Sequence, residues 1–276
     1  MQKIFIHIGH GKTGTTSLQA FLHAASASDS CPFLYPSTCL IHDPPGHHEL
    51  FCAGFFPAAK WKAGQDRIMC QALYNELRAS NKATAIISSE VGLATLREPS
   101  PASTWQTALF QQLRSEFEVI IVYYVRNQLQ HVESAFYTFA AHNRITPDAE
   151  NFRCYVSNRL EQFDFFRNME TYWEPIFGRN NILSKAYHPD NLVGADIVSD
   201  FFALTALNSE ELPGQACDRL ILMNRTPQYQ IENRRGRLIT AEIRQKIIDR
   251  FRESNVRYAA KYLGESCRSY LMDGFD

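Results

Sequence analysis

Lys3-Ile4-Phe5-Ile6-His7-Ile8-Gly9-His10-Gly11-Lys12-Thr13-Gly14-Thr15-Thr16-Ser17-Leu18-Gln19-Ala20-Phe21-Leu22 changes character twice. Lys3 to Ile8 is a short apolar run of strand length. Gly9 to Thr16 is a loop rich in glycine and threonine. Ser17 to Ala25 then sets Leu18, Phe21 and Leu22 at helical spacing. The pattern predicts strand, loop, helix. A loop of this kind offers backbone N–H groups at the positive end of a helix dipole, and its glycines let the backbone approach a phosphate closely. Lys12 adds a full positive charge and Thr16 a hydroxyl.

The nucleoside-triphosphate loop, G-x-x-x-x-G-K-[ST], is the natural comparison. Gly9 and Gly14 have its glycine separation, and Thr16 matches its final hydroxyl. Thr15, however, stands where the lysine belongs, and the lysine has moved inside the loop to Lys12. A kinase or NTPase would use Glu90, at a strand end, to organise magnesium; the displaced lysine argues against that reading.

Working outward, Ala83–Ser88 reads as a strand ending in Ser89-Glu90. Glu118–Val125 (EVIIVYYV) is the most apolar strand, fit for the middle of a parallel sheet. Asn181–Lys185 is a last short strand. Helices are expected at 66–79, 104–117, 127–142, over most of 151–177, at about 195–203, and at 240–263. Ser30 to Trp61, with five prolines, is expected to be long loops. Strands alternating with helices predict an α/β fold, a single P-loop-type domain over 1–276 with a central, mostly parallel sheet flanked by helices. The chain of 276 residues is 45% hydrophobic, enough for a large core. Its formal net charge of −1 gives no global field for nucleic acid, so an anion site must be local. No apolar stretch reaches a membrane span and no secretory pattern opens the sequence, so a cytoplasmic protein is expected. Seven scattered cysteines without a Cys-x-x-Cys pair suit a reducing compartment.

A second basic element follows the apolar strand in Tyr124-Val125-Arg126-Asn127, with Ser134 eight positions after Arg126. Arg126 falls where the strand leaves the sheet, beside the ligand crevice of an open α/β fold. Its planar fork suits phosphate. Ser134 lies about two turns into the next helix and can add a hydrogen bond.

Together these stretches resemble the sulfotransferase family, especially its carbohydrate and bacterial branches. Ile8–Leu22, IGHGKTGTTSLQAFL, is similar to their 5′-phosphosulfate loop with its Lys-x-Gly-Thr-Thr pattern. The resemblance implies 3′-phosphoadenosine 5′-phosphosulfate (PAPS) as cofactor and adenosine 3′,5′-bisphosphate as product. It implies that Lys12 contacts the 5′-phosphate and the bridging oxygen, and that Gly11, Thr13, Gly14, Thr15, Thr16 and Ser17 complete the cradle. Arg126 and Ser134 would hold the 3′-phosphate. Gln128 replaces the family's usual proline. The family's Arg-x-Gly-x-x-Gly-x-Trp loop is missing, with Asn233-Arg234-Arg235-Gly236-Arg237 as a basic replacement. Segments of 251–264 also look like bacterial members.

Sulfuryl transfer to a hydroxyl or amine needs a base for the acceptor proton and positive charge on the leaving phosphate. Glu90, in AIISSEVGL, resembles the acidic position taken as base in carbohydrate-type members. His10 sits in the loop and is the competing candidate. His7 alternates with Ile6 and Ile8 and is expected to be packed. His47 or His48 is expected to line the acceptor side rather than hold metal, for which the spacing is wrong. The acceptor is open, with a saccharide favoured by the loop resemblance alone. Besides a kinase or NTPase, the other reading is a nucleotide-binding relative without catalysis.

Overall fold

The computed structural model describes residues 1–9, 11–41, 47–48, 65–89, 101–208 and 238–275. Its core is a five-stranded sheet of β1 (Lys3–Gly9), β2 (Phe33–Leu34), β5 (Thr84–Ser89), β6 (Glu118–Val125) and β7 (Ile182–Ala186). Their order across the sheet is β2-β5-β1-β6-β7. Each neighbouring pair is parallel. The short β3 (Leu40–Ile41) and β4 (His47–His48) pair antiparallel beside it.

A parallel strand is covered on both faces, which is why β1, β5 and β6 are buried almost throughout. Alternation along β1 sorts its side chains. Ile4, Ile6 and Ile8 join one core with α2 (Gln65–Ala79), α3 (Pro101–Glu116), α9 (Ala241–Tyr262) and α10 (Glu265–Met272). Phe5 faces the other core, built with α1 (Thr15–Ser26) and α8 (Ile197–Thr205). All three isoleucines are fully buried, each stabilising the fold by about 1.5–3 kcal/mol. A charge at Ile6 would lose that and leave an unpaired ion in the sheet. A third core joins α4 (Gln128–Asn143), α5 (Ala149–Arg159) and the first turns of α9. Between α5 and β7 come short helical pieces, α6 (Phe165–Asn168) and α7 (Glu174–Phe177) among them.

The α/β expectation holds. Two stretches differ from the sequence reading. The stretch expected to be loops contributes the edge strand β2 and the β3–β4 pair; two-residue strands are too short to show a period of two. A last helix, α10, follows the one expected to close the fold. Its N-cap is Gly264, which makes no side-chain cap, so the usual start signal is missing.

Candidate functional site

The strand register sets the site. Ile8 lies opposite Ser89, Gly9 opposite Tyr124, and Val125 opposite Ala186. The residues that leave β1, β5, β6 and β7 therefore emerge at one carboxyl edge, where open α/β sheets hold ligands. The Gly-rich loop, Arg126 and Tyr187 share that edge.

The loop is shaped by two left-handed residues, Lys12 (φ 76°) and Gly14 (φ 76°). For lysine this conformation costs about 1–2 kcal/mol. Gly14 is also the N-cap of α1, with no side-chain cap and no acidic residue in the first turn. A serine or aspartate there would take the helix N–H groups for itself; glycine leaves the positive end to a ligand. A Cβ at Gly14 would stand 3.1 Å from both Ile197 Cγ2 and Tyr187 Cε2, so α8 and the exit of β7 wall the loop. Asp200 pins that wall. It is fully buried and accepts from Tyr124 Oη (2.8 Å) and the Val193 N–H (2.9 Å), and it pairs with Lys185.

Side chains around the loop divide by burial. Lys12 and Thr16 are exposed, and Ser17 is half-buried. Thr13 and Thr15 are buried, so they can offer a ligand their backbone only. Thr15 Cγ2 packs on Gly9, where a Cβ would come within 2.3 Å of it. The position that carries lysine in a nucleoside-triphosphate loop is thus an interior methyl contact.

The β6–α4 junction reaches the loop from the far side of the sequence. Arg126 Nη1 donates to the Lys12 carbonyl at 3.1 Å. His131 Nε2 donates to the Gly11 carbonyl at 2.8 Å. Tyr187 lies close: burial pushes its phenol up, and the Arg126 guanidinium pulls it partly back. Ser134 is half-buried on α4. His131 and Tyr187 were missed by sequence reasoning, since contacts this remote in sequence leave no local signal. Asn127 caps α4, accepting from the Leu129 N–H at 3.0 Å, and donates to the carbonyls of Leu271 (3.0 Å) and Asp273 (2.8 Å). Gln128, in place of the family's proline, exchanges two amide hydrogen bonds with Asn255 at 2.7 and 2.8 Å, both side chains buried. Glu133 accepts from the Leu238 N–H at 3.1 Å. Leu238 directly follows the basic stretch Asn233–Arg237, which lies outside the described residues.

Beneath the loop is a buried polar cluster. His7 Nδ1 is 2.8 Å from Ser88 Oγ, and Gln19 Nε2 donates to the same oxygen at 3.2 Å. Complete burial lowers the His7 pKa to about 3, so its ring is neutral, packed as expected. His48 corrects an expectation. It is fully buried, donating from Nε2 to the Pro36 carbonyl (3.0 Å) and taking the Ser88 N–H on Nδ1 (3.2 Å). Burial under β5 makes it a backbone tether and not an acceptor-lining side chain. The two base candidates, His10 and Glu90, lie outside the described residues, each adjoining a described strand end.

No protein-family model matches the chain, and no curated protein sequence matches it. The crystal structure of a sulfotransferase from Alicyclobacillus acidocaldarius is similar in fold, with a TM-score of 0.55 at 14% sequence identity. The likeness covers 94% of this chain and 95% of that one. The fold is sulfotransferase-like. Within that sulfotransferase-like frame, the loop and Arg126 occupy the sheet edge described above. Among the described residues no helix is long and apolar enough to cross a membrane.

Proposed function

We propose that the protein is a sulfotransferase, a single domain over 1–276, that takes the sulfuryl group from PAPS and passes it to a hydroxyl or amine. The observation that carries this reading is the loop itself: Lys12 is exposed inside it while Thr15, at the nucleoside-triphosphate lysine position, is buried against Gly9. The sulfotransferase-like fold supports it. The residues present fit the donor: an uncapped helix N-terminus and a lysine for the phosphosulfate, and an arginine at the same edge for a second phosphate.

PAPS, when bound, supplies a sulfuryl group activated by its phosphate leaving group. Lys12 offsets the negative charge that grows on the leaving oxygen. Gly11, Gly14 and the backbone of Thr13 and Thr15 line the cradle, with the hydroxyls of Thr16 and Ser17 at its rim. Arg126 and Ser134 hold the 3′-phosphate. Glu90, with His10 as competitor, takes the proton from the acceptor. A saccharide hydroxyl is the favoured acceptor and the cytoplasm the favoured compartment.

The test is nucleotide choice, because a ligand that binds the native state raises its apparent stability. Adenosine 3′,5′-bisphosphate should raise the melting temperature far more than ADP or AMP at matched concentration. Equal shifts with ADP would remove the basis for this reading. Turnover of PAPS against a panel of saccharide and small-molecule acceptors then separates an enzyme from a binding protein.

A further inference from the structure

We propose that His131 is a positioning residue that sets the phosphate-binding loop in its anion-receiving shape before any ligand arrives. The loop has a conformational problem. Glycine stands at positions 11 and 14, yet Lys12 between them adopts φ 76°. A lysine left to itself relaxes out of that region, so something must hold it. Two side chains do so, on two consecutive carbonyls: His131 Nε2 on Gly11 O at 2.8 Å, and Arg126 Nη1 on Lys12 O at 3.1 Å.

The planar trans peptide turns these bonds into a directional device. The carbonyl of one residue and the N–H of the next lie in one plane and point opposite ways. Fixing the Gly11 carbonyl toward α4 therefore aims the Lys12 N–H away from α4. Fixing the Lys12 carbonyl toward Arg126 aims the Thr13 N–H away from Arg126. Two donors of the anion cradle are oriented from behind, and preorganised donors bind an anion without first reorganising.

The two holders are not equivalent. Arg126 is half-buried, and a guanidinium carries five N–H donors. His131 is buried, its ring edge-on to Phe163 at 5.0 Å and stacked on Phe165 at 6.1 Å. Aromatic packing fixes the ring plane, so Nε2 stays on Gly11 whatever Arg126 does. The inference rests on the sulfuryl-donor reading only for which anion the loop receives.

The experiment compares His131→Phe, which keeps the aromatic packing and removes the donor, with His131→Gln, which restores a donor and loses the ring. Amide hydrogen exchange is followed in the ligand-free protein. In His131→Phe, exchange in the loop around 11–16 should rise about tenfold, the effect of losing one buried hydrogen bond, while α4 and the sheet stay as protected as before. In His131→Gln the loop should return close to wild type. A purely structural histidine predicts the reverse order, with Phe tolerated and Gln damaging. The proposal is overturned if the loop exchanges unchanged in His131→Phe, if faster exchange spreads evenly over α4 and the sheet, or if Gln is no better than Phe. Calorimetric titration with adenosine 3′,5′-bisphosphate runs alongside. Wild-type protein that fails to bind it refutes the nucleotide reading, while the exchange data still decide the role of His131.

Discussion

Replacing Gly9 with alanine tests how tightly the loop is seated on its own helix. Gly9 has no positive φ, so the change adds volume without backbone strain. The new Cβ would stand 2.3 Å from Thr15 Cγ2, against an ordinary carbon contact of about 3.5–4.0 Å. The overlap exceeds an ångström. Thr15 cannot move aside cheaply, because it is buried, β-branched, and the first residue of α1. Overpacking of this kind costs about 1–3 kcal/mol. With about 2 kcal/mol as the central value, the melting temperature should fall by roughly 4–8 °C for a protein near this size. Thr15→Ser removes the clashing methyl; alone it should cost about 1 kcal/mol for the lost packing. Combined with Gly9→Ala it should recover most of the loss, giving a favourable coupling of about 1–2 kcal/mol in a double-mutant cycle. Urea titrations of the four proteins measure this. Additive losses, or a Gly9→Ala protein as stable as wild type, would falsify the close seating of the loop on α1.

Three further outcomes follow from the site and its surroundings. Arg126→Ala should lose affinity for adenosine 3′,5′-bisphosphate, and Lys12→Ala should lose turnover more than affinity. Glu90→Gln should cut turnover about a hundredfold with binding intact, and calorimetry with single-turnover rates separates these effects. His7 should make the fold acid-sensitive. Its folded pKa, about 3, lies below the ordinary histidine value of 6.5, so the unfolded chain takes up a proton that the native state refuses. Stability is therefore lost as pH falls from about 6.5 toward 3, by up to about 1.4 kcal/mol per pH unit. A His7→Asn variant should show a flatter pH–stability profile in that window. Finally, Gln128→Leu or Asn255→Leu should each cost about 1–3 kcal/mol by depriving the buried partner amide of its hydrogen bonds across the pair, while the double variant should cost less than the sum of the two, as chemical denaturation can show.

What the sequence revealed, and what it hid, follows from the range of each interaction. β1, β5 and β6 were legible because each carries a run of apolar residues, and the shorter β7 opens with Ile182-Leu183. The loop was legible because Gly9, Lys12 and Gly14 are neighbours in sequence, and Arg126 was placed correctly at a strand exit. Phe33–Leu34 was not legible, since its strand exists only through pairing with β5. Nor was the division between buried Thr13 and Thr15 and exposed Thr16, because it depends on how α1 sits over Gly9. His48 misled for a similar reason: a polar residue in a proline-rich stretch reads as exposed, yet the backbone of Pro36 and Ser88 takes both of its nitrogens. His131 is 120 positions from its partner, and no local pattern announces such a pair.

The tether from Asn127 to the carbonyls of Leu271 and Asp273 has a consequence for the timing of synthesis. The residue beside Arg126 donates hydrogen bonds to carbonyls about 145 positions downstream. At a translation rate of about 5–20 residues per second, that stretch takes roughly 7–30 s to make. The Gly-rich loop leaves the ribosome first, but the side chains that hold its Lys12 and Gly11 carbonyls follow 114 and 120 positions later. The arginine edge of the crevice must wait with its neighbouring side-chain amide still in water. A ribosome stalled short of Leu271 therefore carries the loop and the two side chains that hold its carbonyls, with the Asn127 tether still unmade.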